Sequence, residues 1–230
     1  MKIEVLENPE AVAEEAAAII ATDARIAVDA RGRFTLAVSG GHTPWLMLRA
    51  LCEMEVPWKQ VHIFQVDERV APAGDSDRNF THLRESLLDH APLAATQIHA
   101  MPVESPDLVA AAARYGEAIR ELAGAPPTLD LVHLGLGPDG HTASLVPNDP
   151  VLDVADEDVT PTGLYLGRRR MTLTYRTINR ARRILWLVTG DEKAAMLVRL
   201  RDGDVSIPAG RVRRDDALIL ADRAAAARVR

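Results

Sequence analysis

Leu129-Asp130-Leu131-Val132-His133-Leu134-Gly135-Leu136-Gly137-Pro138-Asp139-Gly140-His141 is a short, mostly apolar run that stops in a glycine-rich turn. A run of that length, bounded by turn residues, reads as a strand buried on both faces (Leu129–Leu134). Working outward, the same pattern recurs. Phe34–Val38 stops at Ser39-Gly40-Gly41, Val61–Val66 runs into a polar loop over Asp67–Asp77, and Ile184–Val188 precedes Gly190. Ile3–Leu6, Met171–Thr174 and Ala217–Leu220 are further strand candidates. Between them lie helical stretches: Pro9 to Ala30, Thr43 to Glu53, Arg78–His90, Asp107–Ala123, Gly190–Arg201 and an Ala/Arg-rich C-terminal end. Asp149–Gly167 reads as a polar loop with little periodicity. Alternating strands and helices predict an α/β fold, a three-layer α/β/α arrangement around a mostly parallel central sheet. Ligands in such sheets lie beyond the carboxyl ends of the strands, which is where the polar motifs fall.

The bulk numbers fit this plan. A chain of 230 residues that is 47% hydrophobic supports one α/β domain over 1–230, and Ala125-Pro126-Pro127 is too short for a domain linker. A net charge of −6 argues against nucleic-acid binding, which needs a basic face, but leaves room for a small anion in a locally basic pocket. The single cysteine, Cys52, sits among apolar residues and reads as a core side chain. No run approaches the ~18 apolar residues of a membrane span. The start Met-Lys-Ile-Glu-Val lacks a signal pattern, so the expected compartment is the cytoplasm.

Four segments carry chemistry. Ser39-Gly40-Gly41-His42-Thr43-Pro44 lets the backbone approach a ligand and opens a helix whose first N–H groups favour an anion. It lacks the Gly-Lys-Ser/Thr of a nucleotide P-loop. Asp67-Glu68-Arg69 with Arg78-Asn79 offers charges at a strand end, against the plainer reading of a surface ion-pair cluster. The Gly135–Gly140 turn formally matches the dinucleotide fingerprint G-x-G-x-x-G, but it lies past mid-chain and Pro147 follows too soon for a long helix, so nicotinamide binding is rejected. What it offers instead is Asp139 and His141, a carboxylate placed to orient an imidazole that can take a proton from water. His133, inside the apolar run, reads as a core histidine. Neither Ser39 nor Ser144 sits in a nucleophile motif, and no clustered His or Cys marks a metal site. Finally, one of Arg168, Arg169 and Arg170 before a strand, and Lys193 in the first turn of a helix, are candidate phosphate anchors. Register with the strand favours Arg170.

Together Ser39–Pro44, Val66–Arg69, Gly135–Pro147, Arg170–Thr174 with Ile178-Asn179, and Gly190–Lys193 resemble the 6-phosphogluconolactonase family, within the glucosamine-6-phosphate isomerase/deaminase superfamily. The resemblance implies that superfamily's fold and hydrolysis of 6-phospho-D-glucono-1,5-lactone to 6-phosphogluconate, with no metal or organic cofactor. The implied partner is a small phosphosugar lactone, on a monomer or weak homo-oligomer. It implies His141 as general base with Asp139 as its partner. Ser39, Gly40, Gly41, Thr43, Arg170 and Lys193 would hold phosphate or sugar hydroxyls, and Asp67, Arg69 and Asn79 would line the pocket. Two places depart from the family: Arg78-Asn79 where Ser-Asn is frequent, and Pro208-Ala209-Gly210 where Pro-Ala-Ser is frequent. The deaminases of the superfamily carry an aromatic and then Asn-Glu-Pro after Gly-His, and that glutamate assists their ring-opening histidine; here the glutamate's place, just before Pro147, is taken by Val146, which cannot ionise. A sugar-phosphate sensor without turnover is the second reading, and the chain has no basic region for the DNA-binding part of such a regulator.

Overall fold

The computed structural model describes residues 1–229. Ten strands and six α-helices run in the order β1 (Lys2–Leu6), α1 (Pro9–Arg31), β2 (Phe34–Val38), α2 (His42–Cys52), β3 (Val61–Gln65), β4 (Asp67–Arg69), α3 (Asn79–Leu83), β5 (Ile98–His99), α4 (Leu108–Ala123), β6 (Leu131–Gly135), β7 (Val159–Pro161), β8 (Arg170–Leu173), α5 (Tyr175–Ile178), β9 (Arg183–Val188), α6 (Ala194–Asp202) and β10 (Ala217–Asp222). Seven strands form a parallel sheet in the order β1-β10-β9-β6-β2-β3-β5. The α/β/α expectation holds.

Alternation along the strands divides the core. Ile184, Trp186 and Val188 of β9 face the cluster shared with α4, α5 and α6, while Leu185 and Leu187 face the one shared with α1 and α2. With few aromatics, α1 packs largely through alanine: Ala13, Ala16, Ala17, Ala21, Ala24 and Ala27 are buried. Asn8 caps its start, accepting from the Ala11 N–H at 2.8 Å, and Gly32 (φ 74°) ends it in a left-handed turn. From β2 the chain winds outward through β3 and β5; from β6 it winds the other way through β9 and β10, with the first strand, β1, at the edge beyond β10. The two halves part between β2 and β6, so the crevice of an open α/β sheet is expected above their carboxyl ends.

Four sequence expectations need correction. The loop at Asp67–Asp77 begins with strand β4, and the loop at Asp149–Gly167 contains β7. Neither joins the main sheet. With β8 they form a three-stranded antiparallel sheet, β4-β8-β7, so Met171–Thr174 is no part of the central sheet. The expected C-terminal helix is only a single 3-10 turn, Ala225–Arg228. Three-residue strands are too short to show a period, and an Ala/Arg composition gives helix propensity without the apolar face needed to dock a longer helix.

His133 in β6 is fully buried, the core histidine expected. Its Nδ1 accepts the Ser39 N–H at 3.2 Å, so the ring proton sits on Nε2, which has no hydrogen-bond partner among the described residues. Burial pushes its pKa down to about 3, against ~6.5 in an unfolded chain. Between those values the unfolded chain takes up a proton that the folded one refuses. Stability is therefore undiminished above about pH 6.5 and falls as the pH drops toward 3. At pH 5 the loss is on the order of 2 kcal/mol. The thermal midpoint is expected to fall between pH 7 and pH 5, with a shallower slope in His133→Asn. Equal slopes in the two proteins would remove His133 from that account.

Candidate active site

A cleft of about 320 Å³ opens at the carboxyl ends of β2, β6 and β9. Ser39, Gly40, Gly41, Thr43, Asp67, Arg69, Asn79, His141, Arg170 and Lys193 all line it, so the fold gathers ten of the eleven residues singled out from sequence. The eleventh, Asp139, stands behind His141.

The turn after β6 builds the dyad. Asp139 Oδ1 accepts from the His141 backbone N–H at 3.1 Å and meets ring Nδ1 at 2.5 Å. With Nδ1 engaged, Nε2 is the nitrogen left for chemistry in the cleft. Burial opposes ionisation of Asp139, but the His141 backbone N–H, the His141 charge and ring, and the Tyr165 hydroxyl outweigh it, and the carboxyl is held below its ordinary value. The turn is tightly tied. Gly137 N–H donates to His141 O at 2.8 Å, and Gly140 (φ 83°) donates to Gly137 O at 3.0 Å. Gly137 has no left-handed φ; it is glycine because a Cβ there would overlap the His141 ring.

The opposite wall is formed by the β2–α2 turn and the β9–α6 turn. Gly41 (φ 135°) caps α2, whose first-turn N–H groups have no intrahelical acceptor. Thr43 Oγ1 and Thr189 Oγ1 lie 2.7 Å apart and join the two turns. Ser39 Oγ donates to His133 O at 3.1 Å, so its lone pairs are what it offers a ligand. Asp222 accepts from the Gly190 N–H at 3.2 Å and fixes the turn that carries Lys193. Lys193 Nζ has Glu192 Oε1 3.7 Å away, and Glu192 also lines the cleft.

The small sheet supplies the third wall. Asp67 and Arg170 lie on β4 and β8, which pair antiparallel with Arg69 opposite Arg170. Of the three consecutive arginines it is Arg170 that reaches the cleft; Arg168 pairs with Asp77 at 2.6 Å and Asp75 at 3.5 Å, and Arg169 points to the Thr162 carbonyl. The Asp67-Glu68-Arg69 segment is no surface ion-pair cluster, because Glu68 is 0% exposed. Glu68 accepts the N–H groups of Arg69, Asn79 and Phe80, each at 2.8 Å, and faces Arg78 Nε at 3.1 Å. It thereby holds the start of α3 against β4 and sets Asn79, which accepts from Arg69 and donates to Asp67 O at 2.9 Å. Gly40 has no side chain because Asn79 occupies that space. Asp67 Oδ2 accepts from Ser144 Oγ at 2.6 Å, which gives Ser144 a structural task.

The two departures from the family pattern leave this wall intact. Arg78 runs away from the cleft to Glu68, Glu104 and the Ala71 carbonyl. Gly210 abuts the Asp204 carbonyl so closely that a Cβ would overlap it, and Ala209 N–H donates to Gly140 O at 2.9 Å, bracing the dyad's turn.

The sequence profile of the family described as Glucosamine-6-phosphate isomerases/6-phosphogluconolactonase matches residues 7–220. The chain belongs to that family. Within the isomerase/lactonase family it is 37% identical over 196 residues to the 6-phosphogluconolactonase of Synechocystis sp., covering 84% of this chain and 81% of that protein. Among solved structures it is similar to the 6-phosphogluconolactonase from Thermotoga maritima, with a TM-score of 0.85 and 29% identity over 96% of this chain and 98% of the other. A monomeric glucosamine-6-phosphate deaminase superposes with a TM-score of 0.87 at 20% identity, covering 99% of this chain and 100% of that one, which shows the shared fold.

Three residues of the site were not legible in advance: Tyr165, which donates to Asp139 Oδ2 at 2.9 Å, and the cleft-lining Thr189 and Glu192. Glu192 lies inside the Gly190–Lys193 segment, where only the lysine was given a role, and Thr189 directly precedes it. Tyr165 lies in a loop whose only signal is an aromatic between two leucines in a chain with 4% aromatics.

Proposed function

We propose that this enzyme of the 6-phosphogluconolactonase type hydrolyses 6-phospho-D-glucono-1,5-lactone with His141 as general base. The observation that carries the reading is the Asp139–His141 contact at 2.5 Å on the rim of a cleft shared with Arg170, Lys193 and the start of α2. The phosphate is held by Arg170, Lys193 and the first-turn N–H groups of α2, as cations and a helix N-terminus hold anions. Asp67, Arg69 and Asn79 face the sugar hydroxyls. His141 Nε2 takes a proton from water, and the water oxygen bonds to C1 to give a tetrahedral oxyanion. As the carbonyl re-forms, the bond from C1 to the ring oxygen breaks and the imidazolium gives that oxygen its proton. Asp139 keeps Nδ1 protonated throughout and stabilises the imidazolium as it forms.

The deaminase alternative is disfavoured by Val146, which is apolar and 3% exposed. Among the described residues no helix is long and apolar enough to cross a membrane. Nor do three or more His, Cys, Asp or Glu side chains among them come together as a metal site requires.

The test follows acid release from freshly generated lactone against its spontaneous hydrolysis, with and without protein, in the presence of a chelator. Acceleration that survives the chelator supports the reading; no acceleration over the background rejects it. Arg170→Ala is expected to raise KM roughly 10- to 100-fold, the weight of one charge-assisted hydrogen bond, with a smaller change in kcat. An unchanged KM would move the phosphate elsewhere.

A further inference from the structure

Tyr165 sits in a two-residue hairpin, where it and Arg168 exchange backbone hydrogen bonds at 3.0 and 3.2 Å around Leu166 (φ 50°) and Gly167 (φ 79°). Its hydroxyl donates to Asp139 Oδ2 at 2.9 Å and lies 3.4 Å from His141 Nδ1. Its ring meets the His141 ring edge-on, centroids 5.4 Å apart. The guanidinium carbon of Arg170 stands 4.9 Å from the centroid of the same ring. One side chain thus touches both members of the dyad and the candidate phosphate anchor.

We propose that Tyr165 is a positioning residue that locks the Asp139–His141 dyad through its hydroxyl and seats Arg170 on its ring face. The proposal rests on the reading of His141 as general base. The hydroxyl occupies Oδ2, so the carboxylate cannot turn and Oδ1 stays on Nδ1. That fixes the tautomer with Nε2 free toward the cleft. Arg170 is 7% exposed and its buried Nε has no hydrogen-bond partner among the described residues, so the ring face supplies part of what holds the guanidinium in place.

The hydroxyl also withdraws charge from the carboxylate. Without it, Asp139 holds a proton more firmly, and the carboxylate that supports the imidazole is lost at a higher pH as the pH falls. The titratable and charged groups lining the cleft beside this corner are Arg170 from β8, Asp67 and Arg69 from β4, His42 from α2, and Lys193 with Glu192 from the turn before α6, with Asp77 also acting on Arg170. None of them is removed by the substitution proposed.

Tyr165→Phe keeps the ring and deletes the hydroxyl; Tyr165→Ala deletes both. In Tyr165→Phe the acidic limb of kcat/KM is expected to move up by roughly 0.5–1 pH unit with KM little changed, one hydrogen bond's worth. Tyr165→Ala is expected to add a KM increase of about 3- to 10-fold through Arg170. Histidine-selective NMR of the wild type and Tyr165→Phe should show the His141 ring resonances displaced in the variant, whether or not the lactone is turned over. A wild type that fails on the lactone would sink the assigned reaction; a Tyr165→Phe protein whose His141 ring resonances and pH profile of kcat/KM overlay the wild type's would sink the positioning role. A Tyr165→Ala protein with unchanged KM would sever the link to Arg170.

Discussion

His141→Ala is expected to lower kcat on the phosphogluconolactone about 10²- to 10⁴-fold, the usual contribution of a positioned general base, and to leave KM nearly unchanged. The separation follows from where the groups sit. His141 and Asp139 come from the turn after β6, whereas Arg170 comes from the small sheet and Lys193 from the turn before α6. Removing the imidazole takes away the proposed proton acceptor without touching the cations. The residual rate above background is what anchoring and electrostatic stabilisation alone provide. Steady-state kinetics on fresh lactone decides it. Wild-type turnover in His141→Ala would remove the histidine from the chemistry; a KM raised as much as kcat is lowered would mean that the ring mainly binds substrate.

Glu68→Gln is expected to be among the most destabilising single changes in the molecule. Glu68 carries its charge in the interior, where it accepts three backbone N–H groups and the Gln65 amide and opposes Arg78, itself 5% exposed. Glutamine keeps the shape but turns an NH2 toward groups that are donors, and leaves Arg78 with only the solvent-facing Glu104 as a counter-charge. Breaking a buried pair from one side costs about 3–5 kcal/mol. For a domain of this size that corresponds to a thermal midpoint lower by roughly 6–20 °C. Because the same carboxylate sets the start of α3, the folded fraction should also show a weakened hold on substrate through Asn79 and Arg69. A midpoint within 1 °C of wild type would show that the cluster relaxes around the amide.

Much of this was legible in the sequence, for physical reasons. The inner strands of the central sheet announce themselves because burial on both faces demands a mostly apolar run, and each ends within two residues of a glycine or a charge. Phe34–Val38 and Ile184–Val188 were placed to within a residue on that ground. His141 and Asp139 were legible because they are two residues apart on one turn. The small sheet was not, since β4 and β7 are each three residues long and owe their existence to pairing with β8. Two-residue β5 was missed for the same reason. Glu68 was read as surface charge because nothing local reveals that α3 folds back to cover it. Tyr165 was invisible because its partner Asp139 is separated from it by the loop whose path only the tertiary structure defines.

The missing methyl group at position 137 has a consequence for how this molecule can vary. A side chain there would evict the imidazole from its seat while His141 itself stayed unaltered in the sequence. Genetically, two positions therefore guard one functional group, and drift at either silences it. Position 137 should tolerate as little variation as the histidine it makes room for, although it carries no reactive atom of its own.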